Sequence, residues 1–89
     1  MAKARRAQYM TEEQYWSLTY AGRALADYWT DWLPKSCKRL QEQGILLTYF
    51  QEMGDMLADL QFDLMQNGMS EDGAWEVVKE HIYAFPPER

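Results

Sequence analysis

One cysteine, one histidine and three prolines are all that this 89-residue chain holds of those types. With Cys37 alone there is no internal disulfide framework, and a reducing, cytoplasmic setting fits best. With His81 alone there is no HExxH and no paired Glu-x-x-His, which disfavours a zinc protease and a ferritin-like di-metal site. The chain has no glycine-rich phosphate loop and no GxSxG. It has no run of about 18 apolar residues, so no membrane span is expected. Lys3, Arg5 and Arg6 are followed by no apolar stretch, so the N-terminus does not read as a signal peptide. No alternating apolar run marks a strand, and Asn67-Gly68 lies between helical periods rather than in a hairpin.

Positive charge is scarce in the second half. Residues 1–44 carry seven Lys/Arg against five Asp/Glu, and residues 45–89 carry two against nine, which together give −5. An acidic half repels phosphate, so nucleic acid is not expected as a direct partner. It suits a basic protein surface. Thirteen aromatics and six methionines supply bulk for a core, despite a mean hydropathy of −0.58. Such a chain is too apolar to be a disordered tail, and its length sets one domain.

Apolar spacing predicts helices throughout. Leu46, Phe50, Met53, Leu57, Leu60 and Leu64 recur in steps of three and four, one face of a helix from Leu46 to Asn67. Upstream, Thr11-Glu12-Glu13-Gln14 fits a capping box. A stripe of Tyr15, Leu18, Ala21 or Gly22, Leu25, Tyr28 or Trp29, and Trp32 predicts one long helix from about Glu12 to Trp32. Leu33 precedes a proline, which stops that helix, and Pro34 can open a short helix over Lys35–Gln43 with Cys37 and Leu40 inward. Gly44 and Asn67-Gly68 are stop signals. Ser70 caps a last helix with Ala74, Trp75, Val78 and Ile82 on its buried side. The expectation is an all-α fold: a small bundle of about four helices, two long and antiparallel plus two shorter. Residues 1–10 read as a flexible basic arm, 11–85 as the domain and 86–89 as a tail, with Pro86-Pro87 ending the ordered chain. Gly22 and Gly54 lie inside the long helices, as a close crossing or as tolerated surface positions.

Three constellations invite a functional reading. Cys37 sits by Lys38 and Arg39 near a helix start, which would lower its pKa, yet a buried thiol is the simpler expectation. Tyr15, Trp16, Tyr20, Tyr28, Trp29 and Trp32 are too many for one stripe. Trp29, Trp32 and Trp75 suit a core, and Trp16 and Tyr20 suit a contact surface, with dimerisation its simplest form. Glu52, Asp55, Asp59 and Asp63 form a row on another face of the helix that carries the apolar stripe. Four residues of helix rise about 6 Å, near the roughly 7 Å advance of every second phosphate along one DNA strand. Glu71, Asp72, Glu76 and Glu80 extend the field, and a merely solvated face is the plain alternative.

From Tyr28 onward the order of signals resembles the TnpV-like family of small transposon-encoded proteins. The pieces are Tyr28-Trp29, Leu40, Gly44-Ile45-Leu46, Tyr49-Phe50, Leu64-Met65, Glu76-Val77-Val78 and Ile82-Tyr83. The resemblance implies an origin on mobile DNA and lends no catalytic residue and no cofactor. Small acidic proteins of phages and mobile elements often block a host nucleic-acid enzyme, as anti-CRISPR proteins and DNA mimics do. The expected function is therefore a non-enzymatic inhibitor that places Glu52, Asp55, Asp59, Asp63, Glu71, Asp72 and Glu76 in the basic channel of such an enzyme, a Cas nuclease being one example. The alternative is a TnpV-like accessory protein with an aromatic dimer or partner interface around Trp16 and Tyr20, its basic arm touching DNA.

Overall fold

The computed structural model describes residues 6–88. Five helices follow one another: α1 (Glu12–Trp16), α2 (Tyr20–Trp32), α3 (Pro34–Glu42), α4 (Leu46–Gln66) and α5 (Glu71–Ile82). No strand occurs among the described residues. None of their helices is long and apolar enough to cross a membrane. The fold is all-α, with these five helices among the described residues where about four were expected.

The extra helix arises because the long first helix is two. The Thr19 side chain accepts from the Gly22 N–H and starts α2 afresh. A threonine hydroxyl offers the backbone that alternative to continuing a helix. Leu18 turns inward at the break and is buried. Its carbonyl, freed from the helical ladder, accepts from the Arg23 guanidinium at 2.7 Å.

The other boundaries follow local chemistry. Thr11 and Gln14 close the expected capping box, each side chain accepting from the other's backbone N–H. Ser70 accepts from the Gly73 N–H at the head of α5. Helices α3 and α4 both end in Schellman turns. Gly44 and Gly68 adopt φ of 74° and 98°, which a glycine tolerates best. The Ile45 and Met69 N–H groups then return to the Leu40 and Leu64 carbonyls.

The core is assembled where α2 crosses α4, the most extensive contact between helices. Gly22 and Gly54 meet there. A Cβ on Gly54 would lie 2.8 Å from the Gly22 Cα and 2.7 Å from the Thr19 Oγ1. Both glycines therefore serve a close crossing, and the surface alternative falls. Leu25, Phe50, Val78 and Ile82 are fully buried around it. Trp29 packs against Tyr49, Phe50 and Phe85, at the cost of an indole N–H that is buried without a partner among the described residues. Trp32, expected inside, is 54% exposed, because the helix ends there and its last residue overhangs the turn into α3. Trp75 is only half-buried.

Both ends of the described chain fasten onto this core. Residues 1–5, the first half of the expected arm, lie outside the described residues, while residues 6–10 are packed rather than flexible. Arg6 is 6% exposed. It stacks 3.5 Å over the Tyr15 ring and pairs with Glu12 and Asp27, so it is not available to touch DNA. Met10 is buried too. At the other end the chain continues in place beyond Pro86-Pro87. The Tyr28 hydroxyl donates to the Phe85 carbonyl. The Glu88 carboxylate accepts from the Lys35 and Ser36 N–H groups and the Ser36 hydroxyl. Glu88 thus caps α3, whose own N-cap, Leu33, has no side chain to do so.

Gly54→Ala gains up to ~1 kcal/mol of helix propensity but drives a methyl into backbone, and overpacking of that kind costs ~1–3 kcal/mol or more. A net loss of ~2 kcal/mol is expected, visible as a fall of roughly 10 °C in thermal unfolding followed by circular dichroism. Gly22→Ala, whose new Cβ would stand 3.2 Å from the Phe50 carbonyl oxygen, should lose less; equal melting of both variants and the wild type would contradict the crossing. Burial alone would raise the Glu88 carboxyl, but the bonds from Ser36 and Lys35 outweigh it and hold the group below its ordinary value. A carboxyl so depressed contributes stability above its unfolded pKa and loses it as pH falls through the folded one. Thermal stability should drop on acidification below the ordinary carboxylate range, and Glu88→Gln should flatten that drop.

Candidate protein-binding surfaces

Every side chain expected to contact a partner is exposed: Glu52, Asp55, Asp59, Asp63, Glu71, Asp72, Glu76, Trp16 and Tyr20. The first four stand on α4, whose 21 residues make a rod about 30 Å long. At 100° per residue they fall within an arc of about 80°, and the row extends about 16 Å along the axis. Among the described residues none of the four forms an ion pair, while Glu76 pairs with Lys79 at 2.8 Å. Lys79 is also the only Lys or Arg between residues 45 and 88.

The structure divides the expected acidic field in two. Helix α5 packs against α4, whose buried Leu57 lies about 160° around the helix from the middle of the row. Glu76 and Glu80 project opposite the buried Ala74, Val78 and Ile82, from the outer side of α5. Glu71 and Asp72 line a recess with Tyr20, Gln61 and Trp75. They also occupy the first turn of α5, where the helix dipole favours negative charge. These two have a structural reason to be acidic; the α4 row has none.

Trp16 and Tyr20 belong to different helices and flank the break between α1 and α2. Arg23 draws them together, its guanidinium 5.0 Å from the Trp16 ring centroid and 5.8 Å from that of Tyr20. The Trp16 indole donates to Glu12. Trp16 is 62% and Tyr20 66% exposed, so the pair is a held aromatic surface.

Sequence spacing did not reveal a groove of about 490 Å³ beside the α4 row. Met53, Met56, Leu57 and Leu60 of α4 face Ala84, Phe85 and Pro86 across it, with His81 on the same far side. The signal was Met56, which departs from the core stripe and is 64% exposed. The far wall depends on the fastened C-terminal segment, of which Pro86 was expected in a tail beyond the domain.

Cys37 is fully buried, and burial first, then the nearby Glu88 charge, pushes its thiol up to about 12. This reverses the lowering expected from Lys38 and Arg39, whose charges do not outweigh desolvation. Among the described residues no three His, Cys, Asp or Glu side chains are grouped to hold a metal ion.

Against known proteins, no family model matches this chain, and neither a characterised protein nor a solved structure gives a significant match.

Cys37 should resist thiol reagents in the folded protein. Labelling at neutral pH should be at least about a hundredfold slower than in the urea-unfolded chain, since thiolate supply and access both fall. Comparable rates would contradict the burial.

Proposed function

We propose that this protein is a non-enzymatic binding protein that seats the α4 carboxylate row on the basic, nucleic-acid-handling surface of a partner enzyme, in the manner of an anti-CRISPR-type mimic. One observation carries the reading. Four carboxylates stand exposed along one rigid helix with no paired cation among the described residues. A merely solvated face ordinarily mixes charges of both signs. A single-sign row raises local potential and steers a basic partner. Its spacing, about 6 Å per helical step, suits a groove shaped for phosphates. The closed Cys37 and solitary His81 favour binding over catalysis. An origin on mobile DNA, implied by the TnpV-like resemblance, suits the same role in a bacterial cytoplasm.

A second reading is favoured by the exposed Trp16–Tyr20 pair. It makes the chain a TnpV-like accessory protein that dimerises or docks through that aromatic surface. The two readings separate cleanly, because charge contacts weaken with salt and aromatic contacts do not.

In a pull-down from bacterial lysate, the wild type should recover a basic nucleic-acid enzyme at low salt and lose it at moderate salt. Added duplex DNA should displace that enzyme. The triple change Asp55→Lys, Asp59→Lys and Asp63→Lys should abolish recovery with helicity intact. Unchanged recovery by the triple variant would refute the acidic-face reading. A fall in oligomer mass on Trp16→Ala, measured by light scattering, would favour the aromatic one.

A further inference from the structure

The α4 row and the neighbouring groove share a border, and that border is Met56. On a helix surface the neighbours of a residue lie three and four positions away. For Met56 these are Glu52 and Asp59 on one side, Met53 and Leu60 on the other. The carboxylate row is therefore one rim of the apolar groove, over the same turns of the same helix. The far wall, built by Phe85 and Pro86 with His81 beside them, includes no carboxylate.

We propose that the groove is a docking site for a basic amphipathic helix of the partner protein. The inference rests on the acidic-face reading and adds the kind of element that this face receives. Three observations select that occupant. Met53 to Leu60 is seven residue steps, about 10 Å, which matches anchors placed at i, i+3 or i+4, and i+7 of an incoming helix. The volume of about 490 Å³ lies within the range of ordinary ligand pockets and holds a few apolar side chains, not a whole element. The charge is one-sided: lysines or arginines flanking the anchors would meet Glu52, Asp59 and Asp63 on the α4 rim. Two methionines in the lining suit varied anchors, because their unbranched thioethers repack readily. Met56 itself has no role in the core, being 64% exposed.

The test uses the full chain and two labelled synthetic 21-residue peptides of the same leucine and lysine content. In one the leucines follow helical spacing; in the other they are scattered around the helix. Anisotropy titrations at low salt should show the amphipathic peptide binding about tenfold more tightly. Met56→Glu should erase that preference, although the new carboxylate increases attraction for lysine. Met56→Leu should retain it. The double change Asp55→Lys and Asp59→Lys should weaken both peptides. Equal affinity of the wild type for the two peptides, or no binding of either, overturns the proposal. If Met56→Glu changes nothing while the charge reversal abolishes binding, the groove falls and the acidic face stands. If the reversal changes nothing while Met56→Glu abolishes the preference, the groove stands and the acidic-face reading falls.

Discussion

The contact between Gly22 and Gly54 sets the frame on which everything else depends. With no Cβ on either residue, two helix backbones meet without an intervening side chain, and Gly54 has room for no other residue. This fixes which way α4 points. Taking Gly54 as the contact edge, Phe50 and Leu57 turn into the core, Met53 and Leu60 turn to the groove, and the carboxylates face outward. Each step follows from the helical period. Two glycines weaken their helices by about 1 kcal/mol apiece; tight packing of Leu25, Phe50 and Trp29 around the crossing offsets that.

Around this frame, the small domain is closed by its ends. A chain of this length buries only a little over ~60% of its unfolded surface, so peripheral segments matter. Arg6 covers Tyr15 and is neutralised by Glu12 and Asp27. Glu88 caps α3 from 52 residues away in sequence. The same C-terminal strap places Phe85 and Pro86 opposite α4. The groove is thus a product of closure rather than of any one helix.

Local chemistry was legible in the sequence. Thr11, Ser70, Pro34, Gly44 and Gly68 punctuate the chain as their side chains or φ preferences require, and the stripe of α4 is the one observed. What failed was what depends on tertiary context. Helix α1 ends early because Thr19 can cap, a choice that apolar periodicity does not register. Trp32 is exposed because it sits at a helix end. Arg6 looked like part of a free basic arm, but its partner Asp27 lies 21 residues on. The positions near Cys37 suggested activation, yet burial outweighs neighbouring charge. Of the candidate site, the α4 row was legible because charge and spacing are both sequence properties. Its division from the α5 carboxylates, and its border with a groove, required the packing.

That row is also where the sequence departs from the best local choice. Asp55, Asp59 and Asp63 repel at i, i+4, by a few tenths of a kcal/mol per pair. Aspartate is a poor helix former, and Asp63 stands in the last turn of α4, which has no basic residue and where the dipole disfavours a carboxylate. Met56 and Phe62, both mostly exposed on the same helix, add nothing to the core. Lysine or glutamine at these places would serve folding better. When charge, propensity and dipole conflict with stability on one helix face while caps and stops agree elsewhere, the conflict is of the kind expected at a functional surface, and it supports the binding role proposed above.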